Sequence, residues 1–468
     1  MLREGEASLG HRRDKMTNSC YRLIVFEMGQ GRPGGVMRGR AGLVILVAVV
    51  LAGAAACTSG KPASRRSAPS ASASAGQHAG HTTVLPPGRM TPEQMRGQFE
   101  QYLGQHSLLA VRLMRSVVSG QPDLRQATGA ALQDNTGVLS QLVARAYGTE
   151  QAARFQQLWQ SHIADLESYA RGVATGDATE RQQARSELIG YGNAYGSWFA
   201  AASKGRMRAA DAAAALHMHV EDLMRQIDVY AAGDRDQAYQ LEREAYEHMF
   251  AAGATFARAS VTPELAVGVD TPPNRLRSAF AMLLGEHLEL VIEAQRATFA
   301  GSPEFKAAAA QINVNTSALA RGMAAIVGPT SAAEFQAAWA DHVDGLMAYT
   351  AASAGDDDAG KVAAQKELNS YAVTLAAYFS RVVRNPADLV PLTGALTMHD
   401  RHLIEQVEAY AARDYTRAQR MELEGYQQML GVANTLVSDI QRTVAPTIPV
   451  GGAGTGGGGT ARRSHRSH

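Results

Sequence analysis

Apolar side chains recur at helical spacing around six histidines along the chain. Around His162, for example, Leu158, Trp159, Leu166 and Tyr169 stand at offsets of −4, −3, +4 and +7. Side chains at these offsets share one face of an α-helix. The pattern therefore predicts amphipathic helices whose histidines face a core.

Each of these histidines is followed thirteen or fourteen residues later by a turn position. The histidines are His106, His162, His219, His287, His342 and His399. The turn positions are Gly120, Gly176, Gly233, Gly301, Gly355 and, in the sixth copy, Arg413. Glycine just past a helix end favours a left-handed cap, and Asp177, Asp234 and Ser302 directly after three of these glycines can cap the returning helix. We expect six hairpins, each of two helices of roughly 25 residues.

The hairpins belong to an internal duplication with an offset of about 180 residues. Tyr-Leu-Gly-Gln-His106 matches Leu-Leu-Gly-Glu-His287, and Phe-Gln-Gln-Leu-Trp-Gln-Ser-His162 matches Phe-Gln-Ala-Ala-Trp-Ala-Asp-His342. The predicted fold is all-α, with two tandem six-helix bundle domains of three hairpins each. Their predicted bounds are 92–258 and 275–442, with a proline-containing hinge over 259–274.

Composition fits a folded helical protein and excludes some partners. Of the 468 residues, 46% are hydrophobic and 19% are charged, and the formal net charge is +1. This balance does not favour a nucleic-acid partner. The two cysteines exclude a disulfide framework.

Residues 37–56 have the organisation of a secretory signal. Arg38 and Arg40 precede an apolar run over 41–51, and small residues then lead to Cys57. The stretch Ala-Ala-Ala-Cys57 resembles a bacterial lipoprotein signal, which implies lipidation of Cys57 and anchoring at the extracytoplasmic face of the cell membrane. An ordinary signal cleaved near Ala56 is the alternative. We expect translation to begin at Met37, which leaves 1–36 untranslated or disordered; a peptide from 1–36 in the precursor's mass spectrum would contradict this.

Two further segments are predicted to be disordered. Residues 57–91, rich in Ser, Ala, Gly and Pro, have the composition of a flexible tether. Residues 443–468 form a Gly-rich tail with a basic end.

Across each predicted hairpin, a polar residue lies level with the histidine. These positions hold Asn135, Tyr191, Tyr246, Asn315, Tyr371 and Tyr426. Carboxylates recur 25 residues after four of the histidines, at Glu187, Glu244, Glu367 and Glu424. We expect each histidine to have a polar partner on the return helix. His248 and His402, which occur in one half each, are predicted surface residues, and Trp159 and Trp339 are predicted core fillers.

Two interpretations of the histidines remain open. They can simply satisfy one another and their polar partners in the core, since a buried unpaired polar group costs about 1–3 kcal/mol. Alternatively, the three histidines of each half converge on a metal or haem site, with copper or zinc as the ion and the repeated glutamates behind the ligands. Met218 and Met398 beside the third histidines, with His217, would suit copper or haem. A separation above about 10 Å would exclude a shared ion, because metal–nitrogen bonds are only about 2.0–2.1 Å long.

No sequence motif demands catalysis, since the chain contains no His-Glu-x-x-His, phosphate-loop or Gly-x-Ser-x-Gly pattern. The motifs Leu-Gly-Glu-His287, Trp-Ala-Asp-His342 and Met-His399 resemble an uncharacterised family of secreted helical proteins of Gram-positive bacteria. Its members are sometimes labelled copper amine oxidase-like. The resemblance implies the helical fold over both halves and assigns no activity or ligand. We expect an envelope binding or structural module, with metal or haem binding as the alternative and enzyme activity as a weaker one.

Overall fold

The structure is a computed structural model, which describes residues 90–384 and 389–444. These residues form helices joined by short turns and contain no strand, so the all-α prediction is confirmed. The predicted signal, Cys57, the tether up to residue 89 and the tail beyond residue 444 lie outside the described residues. The helices of the described part are α1 (Pro92–Val118), α2 (Pro122–Tyr147), α3 (Thr149–Thr175), α4 (Ala178–Ala202), α5 (Ala209–Ala231), α6 (Arg235–Ser260), α7 (Pro263–Ala266), α8 (Pro272–Ala300), α9 (Glu304–Val327), α10 (Pro329–Ala354), α11 (Asp358–Val382), α12 (Leu389–Ala411) and α13 (Tyr415–Val444).

The predicted hairpin turns are present, and most of them use the left-handed conformation at the expected residue. Four of the turn glycines have positive φ, namely Gly120, Gly176, Gly233 and Gly301. The prediction is wrong at Gly355, whose φ is −97°; the following Asp356 takes the left-handed conformation instead, with φ 54°. Arg413 adopts φ 59° without the freedom of a glycine.

Side-chain caps start several of the returning helices. The carboxylate of Asp177 accepts hydrogen bonds from the backbone of Thr179 and Glu180. Asp234 caps α6 in the same manner. Each cap satisfies backbone N–H groups that the first helical turn leaves unpaired.

The two halves pack through equivalent glycine–tyrosine contacts. A Cβ atom on Gly104 of α1 would lie 2.9 Å from both Tyr246 and Tyr426. A Cβ atom on Gly285 of α8 would lie 2.6 Å from the Tyr246 hydroxyl and 2.7 Å from the Tyr426 ring. The roles of the two tyrosines are exchanged, so the halves meet with approximate two-fold symmetry. Only glycine leaves room for the tyrosine side chains this close to the helix backbone.

Charged side chains are also buried between the halves. Arg112 forms ion pairs with Glu289 and Glu422, and Arg296 pairs with Glu422 at 3.0 Å. A hydrophobic cluster, which includes Leu108 of the first half and Leu288 of the second, likewise continues across the boundary. The predicted separation into two independent domains is therefore not confirmed, because the halves share a core.

Candidate metal centre

The first helix of each hairpin places its histidine on the buried face. The first triad, His106, His162 and His219, comes from α1, α3 and α5. The second triad, His287, His342 and His399, comes from α8, α10 and α12. All six side chains are at most 1% exposed. The predicted core-facing orientation is confirmed for every one of them.

In the first triad, two imidazoles bond directly to each other. The Nε2 atoms of His106 and His162 lie 3.1 Å apart, so one of the two rings donates a hydrogen bond to the other. The ring centroid of His106 lies 5.0 Å from that of His162 and 5.8 Å from that of His219. Neither nitrogen of His219 has a hydrogen-bond partner.

In the second triad, three donor nitrogens converge. The ring centroids lie 5.8 Å apart for His287–His342, 5.7 Å for His287–His399 and 5.3 Å for His342–His399. One nitrogen of each ring lies within 4.8 Å of the other two. Nitrogens bound to one zinc ion at about 2.0–2.1 Å lie at most about 4.2 Å apart. The predicted convergence is present, and a small inward movement of the rings gives ligand distances.

Burial keeps the six imidazoles uncharged at neutral pH. Loss of hydration lowers the pKa of His162, His219 and His399 to about 3. The same cause, reinforced by neighbouring histidines, holds the pKa of His106, His287 and His342 well below its usual value. A neutral imidazole carries the lone pair that coordinates a metal ion.

Two of the predicted tyrosine partners contact their histidines through ring faces rather than hydrogen bonds. Tyr191 stacks on His162 with centroids 4.6 Å apart and planes 13° from parallel. Tyr371 stacks on His342 at 4.5 Å and 17°. Their buried hydroxyls have no hydrogen-bond partner. The predicted hydrogen bond is therefore wrong here, although the predicted level across the hairpin is right.

The other four polar positions have different partners. The hydroxyls of Tyr246 and Tyr426 lie 3.1 Å from each other at the boundary between the halves. Asn135 donates to Gln105 at 2.8 Å, and Asn315 donates to Glu286 at 2.6 Å. Because these groups are engaged elsewhere, the prediction that they pair with the histidines is wrong.

The repeated glutamates lie on the outside of the helices. Glu187, Glu367 and Glu424 are exposed, and Glu244 is half-buried. Glu187 accepts from Gln183 and Glu244 accepts from Gln240, each one turn away on the same helix. They do not stand behind the buried triads as predicted, because a spacing of 25 residues fixes the level across a hairpin but not the helix face.

The neighbours of the third histidines also point away from the core. Met218 and Met398 are 48% and 43% exposed, so the predicted thioether contribution to a site is wrong. His217 bonds the backbone carbonyl of Ile189 at 2.9 Å.

The two tryptophans pack against the triads as predicted core fillers. Trp159 lies 4.6 Å from His106 between ring centroids. Trp339 additionally donates from Nε1 to Nδ1 of His287 at 3.3 Å. In metal-free neutral His287, the ring proton is therefore on Nε2.

Asp400 is a site residue that the sequence pattern did not reveal. Its side chain is buried, and Oδ1 lies 3.2 Å from Nδ1 of His342. The contact is not aligned as a hydrogen bond, and neither carboxylate oxygen has another hydrogen-bond partner. Burial raises the pKa of this carboxyl well above its usual value. The sequence signal that could have revealed it is a difference between the two halves. Asp400 follows the third histidine of the second half, whereas Val220 follows the third histidine of the first half.

His248 and His402 each pair with a polar side chain on the other helix of their hairpin. His248 lies on the second helix of its hairpin, whereas His402 lies on the first. Nδ1 of His248 lies 2.7 Å from Oδ2 of the buried Asp222, and this hydrogen bond raises the pKa of His248. In the second half, the buried His402 lies 3.4 Å from Oε1 of Gln428. The surface prediction is wrong for His402, because each pair places one member inside.

Comparisons with protein-family models, with curated proteins and with solved structures gave no match. In the part of the chain that the structure describes, no helix has the length and apolar character needed to cross a membrane. The geometry of the triads is therefore the basis for inferring function.

Proposed function

We propose that the protein binds a divalent transition metal ion through His287, His342 and His399. The observation that carries this proposal is the convergence of three buried donor nitrogens within 4.8 Å. Both nitrogens of His342 and His399, and Nε2 of His287, have no hydrogen-bond partner. Each buried orphan of this kind costs about 1–3 kcal/mol. A purely structural role would require hydrogen-bond partners that these nitrogens lack, and a bound ion would engage one nitrogen of each ring.

The donor set favours zinc(II) or copper(II) over haem and copper(I). Imidazole nitrogens suit zinc and oxidised copper, whereas copper(I) favours thioether or thiolate sulfur, and the nearby methionines are exposed. Haem would need an open slot for its macrocycle. The three rings instead contact one another, and Trp339 and Tyr371 pack directly against them.

Three protein ligands leave one coordination position for water or an anion. The triad is fully buried, so a substrate has no direct access to that position. This supports holding an ion rather than turning over a substrate. The alternative is a helical module of the cell envelope that binds no metal, and metal-binding measurements distinguish the two functions.

Trp339 competes with metal for His287. Its N–H donates to the lone pair of Nδ1. Coordination through Nε2 requires the ring proton to move from Nε2 to Nδ1, and this move breaks the hydrogen bond from Trp339. Trp339→Phe removes this competing donor. We expect the variant to bind zinc(II) more tightly than the natural protein, provided that circular dichroism shows an unchanged fold.

The test is titration of the EDTA-treated full chain with zinc(II), copper(II) and cobalt(II). Calorimetry should show saturable binding, and elemental analysis should find the ion after desalting. An ion at 100 times its Kd should stabilise the fold by about 2.7 kcal/mol. His342→Gln should abolish binding, and His217→Gln, which changes a histidine outside the triads, should retain it. Absence of binding by the folded natural protein overturns the proposal.

We further propose that the protein is a lipoprotein at the extracytoplasmic face of the membrane. The basic pair, the apolar run 41–51 and the small residues before Cys57 support this. Cys57→Ser should prevent labelling by a fatty-acid analogue and release the protein from the membrane fraction. If the Ser variant stays in that fraction, Cys57 is not the anchor.

A further inference from the structure

We infer that the two triads have diverged: the second binds the ion with Asp400 positioning His342, and the first is a metal-free packing network. This inference rests on the proposed function and goes beyond it, because it assigns one ion to each chain and names the residue that distinguishes the halves. The duplication alone would predict two equivalent sites.

The position of Asp400 is that of a carboxylate behind a metal-binding histidine. Its Oδ1 lies 3.2 Å from Nδ1 of His342. A small rotation of the ring aligns the Nδ1–H group with this oxygen. His342 then donates from Nδ1 to the carboxylate and keeps the lone pair of Nε2 available to the ion. Such a partner fixes the tautomer and orientation of a ligating imidazole.

Asp400 is not itself part of the converging donor set. Within the described residues, the group whose donor atoms all lie within 4.8 Å of one another contains the three histidines alone. Asp400 is therefore a positioning residue. Its action on the ion passes through His342.

The burial of the Asp400 carboxyl group favours a cation in its vicinity. The residue is 2% exposed, and in the described part of the chain its only ion-pair contact is with His342. An unpaired buried carboxylate is unfavourable because water solvates it far better than a protein interior does. A divalent ion in the second triad compensates that charge through the intervening imidazole.

The first triad lacks both features. Val220 occupies the position equivalent to Asp400, so no carboxylate is supplied there. Nε2 of His106 and Nε2 of His162 form a hydrogen bond with each other at 3.1 Å. That bond uses the Nε2–H group of one ring and the Nε2 lone pair of the other, so neither Nε2 atom is available to an ion. One nitrogen of each of these two rings is thus paired without a metal.

The experiment measures the zinc(II) stoichiometry of the full chain by calorimetry and by elemental analysis after desalting. We expect one ion per chain, retained in His162→Gln and lost in His342→Gln. No bound ion in the folded protein refutes the proposed function itself. Two ions, or an equal loss in both variants, leaves metal binding intact and refutes the divergence of the triads.

The role of Asp400 is tested by replacing it with the residue of the other half. Asp400→Val should weaken zinc(II) binding by about 10–100-fold. It should leave metal-free thermal stability unchanged or higher, because a buried polar group without a hydrogen-bond partner is removed. Asp400→Asn, which keeps an acceptor oxygen, should recover part of the lost affinity. The visible spectrum of the cobalt(II) form should change in the Val variant, since the ring orientation is lost.

An unchanged affinity and cobalt spectrum in Asp400→Val would refute the positioning role. A large loss that Asp400→Asn does not relieve would also refute hydrogen-bond acceptance as its mechanism. Val220→Asp in the first triad is the reciprocal variant. It should leave the affinity of the second triad unchanged, and a drop in that affinity would show that the two triads do not act separately.

Discussion

Replacing His162 by glutamine should destabilise the protein less at acidic pH than at neutral pH. His162 is buried in the first triad, where it bonds His106 and stacks on Tyr191. Burial lowers its pKa to about 3 in the folded protein, whereas an unfolded histidine has a pKa of about 6.5. Glutamine can keep the hydrogen bond to His106 but does not titrate.

The sign follows from which state takes up the proton. Because the folded pKa is depressed, the unfolded chain binds a proton between pH 6.5 and 3 while the folded chain does not. The stability that neutral His162 contributes is complete above pH 6.5 and is lost as the pH falls. Between pH 7.5 and 5.5, proton binding by the unfolded histidine shifts the folding equilibrium about tenfold toward the unfolded state. This lowers the free energy of unfolding by about 1.4 kcal/mol. His162→Gln does not undergo this loss.

The assay is urea unfolding followed by circular dichroism at pH 7.5 and pH 5.5, with EDTA present to exclude metal. The free-energy cost of His162→Gln relative to the natural protein should be about 1.4 kcal/mol smaller at pH 5.5. An equal cost at both pH values, within about 0.3 kcal/mol, or a larger cost at pH 5.5, would refute the reasoning.

His248→Gln is a control with the opposite expected sign. The hydrogen bond to Asp222 raises the pKa of His248 above its usual value. Its stabilising contribution is therefore complete at pH values below the unfolded pKa and is lost as the pH rises through the folded pKa. The cost of His248→Gln should be larger at pH 5.5 than at pH 7.5. The same trend for both variants would indicate a general acid effect rather than the burial of individual histidines.

Three further predictions concern the fold, each measured by urea unfolding at pH 7.5. Arg112→Met leaves buried carboxylates between the halves without their cation and should cost about 3–5 kcal/mol; Arg154→Met, at an exposed ion pair, should cost less than about 1 kcal/mol. Gly285→Ala forces a Cβ atom to within 2.6 Å of a hydroxyl and should cost about 1–3 kcal/mol. Gly190→Ala is the matched control for Gly285→Ala; its Cβ atom meets open space inside a helix and should stabilise the protein by about 0.5–1 kcal/mol. Arg413→Gly should stabilise by about 1 kcal/mol, because φ 59° is unfavourable for a side chain-bearing residue; an unchanged or lower stability would contradict that view of the turn.

The helices and hairpin turns could be predicted because they depend on local patterns. The spacing of apolar residues around His162 specifies one helix face, and Gly176 specifies where the helix can end. The Gly355 turn differs by one residue, since Asp356 can adopt the left-handed conformation at modest cost. Separation of the halves was not confirmed, because apolar surface that looks sufficient for two cores is here shared between them.

Partners of the histidines were harder to predict. A residue level with His162 across the hairpin can meet it through a ring face, as Tyr191 does, or can point elsewhere, as Glu187 does. The difference depends on rotation about the helix axis, where a single residue changes the direction by about 100°. Sequence offsets across a turn do not fix this angle.

The all-α class and the inward direction of the six histidines follow from periodicity within single helices, and the duplication follows from motifs repeated about 180 residues apart. The packing of the hairpins in three dimensions decided that three histidines of the second half converge and that Asp400 stands behind His342. It likewise decided that Arg112 and Glu422 are buried together between the halves. These contacts join residues from different hairpins, and their distances depend on how whole hairpins pack. The spacing of apolar residues within one helix does not specify how that helix packs against another hairpin.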